Sequence, residues 1–476
     1  MLAHRSARLP FAVIMEQTSP QQAPSLEPSA APAARGLPYF GCIRGLRRNP
    51  MEFFRRVAVS VGGLARVPLQ AGRSLYLVSE PRLIKELLID HRTRFLKNVR
   101  YPAMQRLLGR GLLLSEGDGW RRQRLLTQPA FKPTELKRQV EWMSGHVSRF
   151  LDRWEQHAQH GTPIDVEEQF LRLTQLLAGV LILGPRYEAH ADRMFDISEE
   201  IKHNWPKPPR GILSGFLPPS KARARRMESA CQDLDREVQH FIDMQRKAAP
   251  EDGGILGLLI AGSAREGQPF TDKELRDQVV TLFFAGYETS AASMCWTHYL
   301  MWAHPEVRSR MLQEIDSVLG ARTPAGEDID RLQYVEQVLQ ESLRIYSPIH
   351  SLSRVAMEDS SIGGHPLPKG CTAVVSLYAT HRLPAYWPDP ERFDPERFTP
   401  EACAARYNFA YIPFAVGHRN CIGGTLAMVE GKLILAQLAQ RYVLDLAPGE
   451  RIEPMAATTM RPRYGIRMIV RRRTIR

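Results

Sequence analysis

The chain has 476 residues, 43% hydrophobic and 24% charged, so it carries enough apolar material for a large core and lies far from a disordered or fibrous composition. Its formal charge of +13 is a basic excess, yet the densest basic stretches, Lys221-Ala-Arg-Ala-Arg-Arg226 and Arg471-Arg472-Arg473, are short and read as solvated faces, so no nucleic-acid partner is expected. Six cysteines, at 42, 231, 295, 371, 403 and 421, form no Cys-x-x-Cys pair, and a chain of this size needs no disulfide staples.

No stretch approaches the roughly 18–20 uninterrupted apolar residues of a membrane helix. The apolar run Leu9-Pro-Phe-Ala-Val-Ile-Met15 is short and broken by Pro10, unlike a signal peptide, and Met15 is an alternative start. A cytoplasmic protein is expected. Residues 16–36 are rich in Pro, Ser, Ala and Gln and bury too little to offset their ordering entropy. Residues 1–36 therefore read as disordered and 37–476 as one domain, with order starting near Gly36-Leu-Pro-Tyr-Phe. A short helix after Pro50 precedes two strand-like segments, Leu64-Ala-Arg-Val-Pro-Leu and Ser74-Leu-Tyr-Leu-Val-Ser. Helical periodicity dominates residues 80–320, with breaks near 206–219 and 249–257. After Pro348 come short strands and turns, then a last helix behind Cys421 and a β-like tail. The fold class is mainly α with small β-sheets.

Within the helical region, Thr271-Asp-Lys-Glu274 reads as a capping box that opens a long apolar helix. Midway along it, Ala285-Gly-Tyr-Glu-Thr-Ser290 breaks the pattern, because glycine and hydroxyl residues weaken a helix and a buried carboxylate is costly. Such local inconsistency often marks a functional site. Further on, Glu341 and Arg344 stand three apart in Tyr334-Val-Glu-Gln-Val-Leu-Gln-Glu-Ser-Leu-Arg-Ile-Tyr346, which brings them together on neighbouring turns.

The most informative stretch is Phe414-Ala-Val-Gly-His-Arg-Asn-Cys-Ile-Gly423. Gly417 and Gly423 bracket Cys421 and would let the backbone pass close to a flat ligand. A helical pattern starts directly after the cysteine, where free amides and the helix dipole favour a thiolate. Arg419 adds positive charge, and Phe414 can cover the sulfur against water. A buried cysteine in a glycine turn is the bland alternative.

The joint pattern of Phe, two residues, Gly, then Arg, Cys and Gly resembles the haem-binding signature of the cytochrome P450 family. The resemblance covers roughly residues 37–470 and implies a triangular, mainly α fold, with Cys421 as axial ligand of haem b. It also implies that Glu341 and Arg344 form a buried network with an arginine of Trp387-Pro-Asp-Pro-Glu-Arg-Phe-Asp-Pro-Glu-Arg-Phe398. The tandem repeat leaves Arg392 and Arg397 both possible, and the spacing favours Arg397. The segment around Thr289 resembles the family's oxygen-activating motif, which implies that the Thr289 hydroxyl delivers protons and Glu288 relays them.

Trp120 and Arg124 resemble the family's Trp-x-x-x-Arg helix, which reaches a haem propionate; Arg354 and Arg419 are further anchors. Arg121 and Arg122 are candidates for docking an acidic donor, or form a solvated helix face. The implied activity is insertion of one oxygen atom of O2 into an apolar small molecule. Electrons would come from a separate ferredoxin or flavodoxin with its NAD(P)H reductase, and a monomer is expected. Rivals are a peroxygenase or hydroperoxide isomerase on the same fold, whose members commonly lack the acid–alcohol pair, and a haem sensor without catalysis. Pocket walls are expected from residues 100–117, 201–216, 283–288 and 349–352, with Tyr287 restricting the approach.

Overall fold

Helices form wherever apolar residues recur every three to four positions. The computed structural model describes residues 30–35, 42–69, 73–97, 102–206 and 221–473. Its longer helices are α1 (Pro50–Val61), α2 (Pro102–Leu108), α3 (Gly117–Thr127), α4 (Pro133–Asp152), α5 (Val166–Leu183) and α6 (Ala191–Asn204). They continue with α7 (Lys221–Gln245), α8 (Gly254–Arg265), α9 (Asp272–Ala303), α10 (Pro305–Leu319), α11 (Gln333–Ile345) and α12 (Gly424–Arg441), linked by shorter helical pieces.

Strands β1 (Leu64–Pro68), β2 (Ser74–Val78), β3 (Phe95–Lys97), β5 (Ser351–Ala356) and β8 (Thr372–Ser376) form one sheet in the order β1-β2-β8-β5-β3. Only β2 and β8 run parallel in it. Strands β4 (Pro163–Asp165), β12 (Arg467–Arg472) and β9 (Tyr442–Leu446) form a second sheet; β6 (Ser360–Ile362) pairs β7 (His365–Leu367), and β10 (Pro454–Ala456) pairs β11 (Met460–Pro462). The fold is mainly α with small β-sheets, as the periodicity predicts. Among the described residues, no helix is long and apolar enough to cross a membrane.

Two local expectations need correction. Residues 30–35 lie against β1 rather than in a disordered segment: Arg66 N–H donates to Pro32 O at 2.8 Å, Ala34 N–H donates to Arg66 O at 2.9 Å, and Ala31 and Ala34 are buried. Backbone pairing along an edge strand needs no bulky side chains, so composition alone misjudges it. The rest of the 1–36 segment, and Gly36-Leu-Pro-Tyr-Phe, lie outside the described residues. The break expected over 249–257 ends at Gly253, and α8 starts at Gly254, whose φ of +55° suits glycine.

The spine of the molecule is α9, which runs 32 residues, about 48 Å at 1.5 Å per residue. Its capping box is complete: Thr271 Oγ1 accepts from Glu274 N–H at 3.3 Å, and Glu274 Oε2 accepts from Thr271 N–H at 2.9 Å. The hydroxyl-rich turn does not interrupt it. Small residues let α5 cross closely, since a Cβ on Gly286 would meet the Ala178 Cβ at 3.6 Å. Thr174 Oγ1 then donates to Tyr287 O at 2.9 Å and to Phe170 O at 2.8 Å, pinning the two helices together. The α12 helix packs on α4, α9, α10 and α11 and so places the cysteine loop beside the core.

Candidate active site

The loop before α12 is shaped by its backbone. Gly417 has φ +77°, and a Cβ there would lie 2.9 Å from Leu88 O. Ala415, with φ +56°, also takes the left-handed region. Cys421 N–H donates to Phe414 O at 2.8 Å and Asn420 N–H to Gly417 O at 3.0 Å, which closes the loop under the sulfur. The Phe414 ring packs on the helix start, 3.3 Å from where a Gly424 Cβ would be. Gly423 has an ordinary φ of −89°; what it provides is room, since its Cβ would meet Cys421 Sγ at 4.0 Å and Phe131 at 3.9 Å. A Gly417→Ala variant is expected to lose about 1–2 kcal/mol from the forced left-handed residue alone, read as a lowered urea midpoint.

Cys421 is exposed, yet protein crowds it closely. Burial pushes its thiol up, and the Gly423 N–H, Arg124 and Lys97 only partly oppose this. The helix start and Arg419 were expected to yield a thiolate. Desolvation outweighs the first, and Arg419 turns instead to Trp120, Ser115 and Glu116.

Around the loop stands a cluster of cations. Lys97 on β3 is paired in register with Arg354 on β5, so two positive side chains share one face of the sheet. Lys97 Nζ donates to Leu113 O at 3.0 Å; burial, reinforced by Arg419 and Arg354, holds its ammonium down at about 7. Arg354 is buried, and burial brings its guanidinium down to about 10. Arg419 lies 4.0 Å over the Trp120 ring, donates to Ser115 O at 2.7 Å and pairs with Glu116. Its Nη1 is buried without a hydrogen-bond partner. Arg124 grips the loop, with Nη1 and Nη2 donating to Asn420 O and Oδ1 at 2.9 Å each. Trp120 meets His418 edge-on, ring centroids 5.4 Å apart. Arg122, offered as a docking residue, is bound to Glu266 and Gln268 O and stacks on Phe270, while Arg121 is exposed.

On α9, Phe283 and Tyr287 are buried while Ala285 between them is exposed, so the helix presents one accessible face at its middle. Thr289 Oγ1 donates to Ala285 O at 2.8 Å, spanning that face. Glu288 accepts from Thr459 Oγ1 at 2.9 Å and lines a small pocket together with Glu167, Lys202 and Arg461, so it is bonded toward the β10–β11 hairpin and not to Thr289. Tyr287 does not restrict an approach: it is buried against Phe283, Phe284 and the α5 helix. Of the expected walls, residues 100–101 and 207–216 are outside the described residues, and Ile349–Leu352 are partly exposed.

Beneath the loop, Glu341 and Arg344 are fully buried and bidentate, at 2.6 and 2.7 Å. Arg397 Nε lies 3.4 Å from Glu341 Oε1, and Asp394 N–H donates to the same oxygen at 2.9 Å. Arg392 takes part only through its carbonyl, which accepts from Arg344 Nη2 at 3.1 Å. Sequence reasoning missed His381. Arg344 donates to its carbonyl at 3.0 Å, and its Nε2 accepts from Ile412 N–H at 3.0 Å, linking the network to the strand-like lead into the cysteine loop. Burial, with Arg344 and Arg382 nearby, holds His381 down at about 3, so that nitrogen keeps its lone pair.

The cytochrome P450 family model matches residues 31–470. The chain belongs to the cytochrome P450 family. It is 32% identical over 417 residues to putative cytochrome P450 132 of Mycobacterium tuberculosis, covering 85% of this chain and 89% of that one. It is 31% identical over 433 residues to cyclooctat-9-en-7-ol 5-monooxygenase of Streptomyces melanosporofaciens, covering 90% and 92%. The crystal structure of the cytochrome P450DA heme domain superposes with a TM-score of 0.84 at 26% identity, covering 94% of this chain and 98% of that one.

P450 membership implies haem, and the residues present fit it. Lys97, Arg354 and Arg419 face the Glu116 carboxylate, and besides burial the neighbouring arginines lower their affinity for protons, with Arg124 acting on Arg419. One Arg419 nitrogen is still unpartnered. That positive excess suits a ligand bearing two carboxylates. Lys97 and Glu116 carry no motif of their own; only the β3–β5 register brings Lys97 beside Arg354.

Proposed function

We propose that this P450 is a haem-thiolate monooxygenase that inserts one atom of O2 into an apolar organic substrate, the second leaving as water with two protons and two electrons from a separate carrier. The observation that carries this is the exposed Cys421 at the start of α12, with Arg124 and Lys97 acting on its sulfur and Arg354 and Arg419 clustered beside Lys97. Cys421 would ligate the iron, Arg124, Arg354, Arg419 and Trp120 would hold the propionates, and Lys97 would join them. Bound haem supplies the iron centre at which dioxygen is reduced, and a thiolate ligand favours cleavage of the O–O bond.

The chain's own part is to shape the pocket and handle protons. The Thr289 hydroxyl, on the accessible face of α9, would release its bond to Ala285 O to deliver a proton into the pocket and take one back from solvent. Glu288, bonded on the hairpin side, would draw protons through the small pocket that it lines with Lys202 and Arg461. Thr289→Ala is expected to cut product formation by about 10²-fold, with reductant diverted to hydrogen peroxide; product and peroxide per NAD(P)H consumed are the measurement.

The reduced protein with carbon monoxide should show a thiolate-type Soret band. Turnover should require a ferredoxin or flavodoxin with its reductase; efficient turnover with peroxide alone would overturn the monooxygenase reading in favour of a peroxygenase. The name of the Streptomyces relative denotes an unsaturated ring alcohol, which supports a ring-type apolar substrate here. A compound panel scored by the spectral shift on displacing iron-bound water tests that class.

A further inference from the structure

We propose that Gln123 is a positioning residue for the haem: from α3 it holds the loop of residues 109–116 in the shape that orients Lys97 and Arg419 toward the haem carboxylates. The inference rests on the haem reading above and goes beyond it, because the bonds of Gln123 go to the loop and not to the cations.

Gln123 is buried, and both ends of its amide are used. Its Nε2 donates to Arg110 O at 2.9 Å, and its Oε1 accepts from Ser115 Oγ at 2.6 Å. One side chain thus fastens the loop at both Arg110 and Ser115. A side-chain amide offers a donor and an acceptor side by side without bringing a charge into the interior. The loop is also fixed to α9: Arg110 N–H donates to Asp277 Oδ2 at 2.8 Å, and Leu112 N–H to Gln278 Oε1 at 3.3 Å. Gly111 presses on the same helix, since a Cβ there would lie 2.1 Å from Thr281 Oγ1.

What the loop presents to the cations is oxygen. Leu113 O accepts from Lys97 Nζ at 3.0 Å, and Ser115 O accepts from Arg419 Nη2 at 2.7 Å. Glu116 extends the set: its Oε1 accepts from Lys97 N–H at 3.1 Å, and its carboxylate pairs with Arg419. Leu113 stands between the two points that Gln123 fastens, and Ser115 is one of them. Both cations therefore lean on backbone that this one amide holds. Arg419 commits Nη2 to the loop, while its buried Nη1 stays free for a carboxylate. The same helix supports the arrangement twice more, with Trp120 beneath the Arg419 guanidinium at 4.0 Å and Arg124 on Asn420. Positions 120, 123 and 124 fall on one helical face.

Without the amide, Arg110 O and the Ser115 hydroxyl lose their shared partner, and the stretch between them is free to shift. A displacement of about 1 Å at either carbonyl takes its hydrogen bond beyond useful length. Lys97 and Arg419 would then turn toward Glu116 or water, and the haem carboxylates would be held less tightly.

The test follows haem loss from the loaded full chain to an excess of a haem-scavenging apoglobin, read in the Soret region without any turnover. Gln123→Met keeps the length of the side chain and removes both bonds. It should release haem about tenfold faster, with the far-UV circular dichroism spectrum unchanged. Lys97→Met should also speed release. In the Lys97→Met background the Gln123 change should matter clearly less than in wild type, because one of the two cations it orients is gone. A release rate unmoved by Gln123→Met would overturn the proposal. So would factors that simply multiply in the double variant, since that is what a general loosening of the fold gives. Should Gln123→Met fail to fold, Ser115→Ala serves, because it removes one of the two bonds and keeps the Ser115 carbonyl. It should speed release about threefold, and an unmoved rate counts against the role of Gln123. A chain that takes up no haem sinks the monooxygenase reading and this inference with it. A loaded chain with a thiolate-type band and a release rate indifferent to Gln123 sinks this inference alone.

Discussion

Replacing Cys421 by alanine is expected to give a folded chain with no thiolate-type carbon monoxide band and with turnover reduced by at least about 10³-fold, some 4 kcal/mol of barrier. The two halves of that expectation have separate grounds. Cys421 is exposed, and its loop is held by backbone bonds from Cys421 N–H to Phe414 O and from Asn420 N–H to Gly417 O, none of which uses the sulfur. Loss of one sulfur from an accessible position should therefore cost within about 1 kcal/mol, and the urea midpoint should barely move. The spectroscopic and catalytic losses follow because none of the other five cysteines lies in this loop: Cys42, Cys231 and Cys295 are buried elsewhere, and Cys371 and Cys403 lie on other segments. Retention of the band in Cys421→Ala would remove the basis of the assignment. A collapse in stability with the band intact before unfolding would show instead that the loop depends on the thiol for packing.

What the sequence disclosed and what it withheld divide by range. The capping box of α9, the cysteine loop and the Glu341–Arg344 pair are contacts within a few residues of chain, and a few residues of sequence carry them. The choice of Arg397 over Arg392 rested on spacing, and the geometry puts Arg397 beside Glu341 and only the Arg392 carbonyl in the network. Lys97 was not legible because its role depends on the antiparallel register of β3 with β5, across more than two hundred residues. His381 was missed for the same reason, since Ile412 and Arg344 reach it from distant segments. Tyr287 failed differently. Helical phase turns it toward α5 and the buried aromatic cluster, and the direction of the accessible face is set by packing rather than by the residues of the motif. Residues 30–35 show a third kind of failure, in which composition predicts disorder and a strand edge supplies the missing hydrogen bonds.

Removing either partner of the Glu341–Arg344 pair should be the most destabilising single change outside the loop, at about 3–5 kcal/mol each. Both side chains have no exposed surface. Without Glu341, Arg344 keeps its carbonyl partners at His381, Pro390 and Arg392 but becomes a buried charge with no counter-ion, and Asp394 N–H loses its acceptor. Without Arg344, Glu341 retains only Asp394 N–H and the more distant Arg397, while three carbonyls lose their donor. Arg397→Leu should cost less, because its Nε stands 3.4 Å from Glu341 and its remaining bond is to Asp389 O. The double variant Glu341→Gln with Arg344→Met should then be less harmful than the sum of the singles, since no uncompensated charge is left inside. Urea midpoints for the four proteins decide it; singles below about 1 kcal/mol, the range of an exposed pair, would show that the network is an ornament of the fold and not its support.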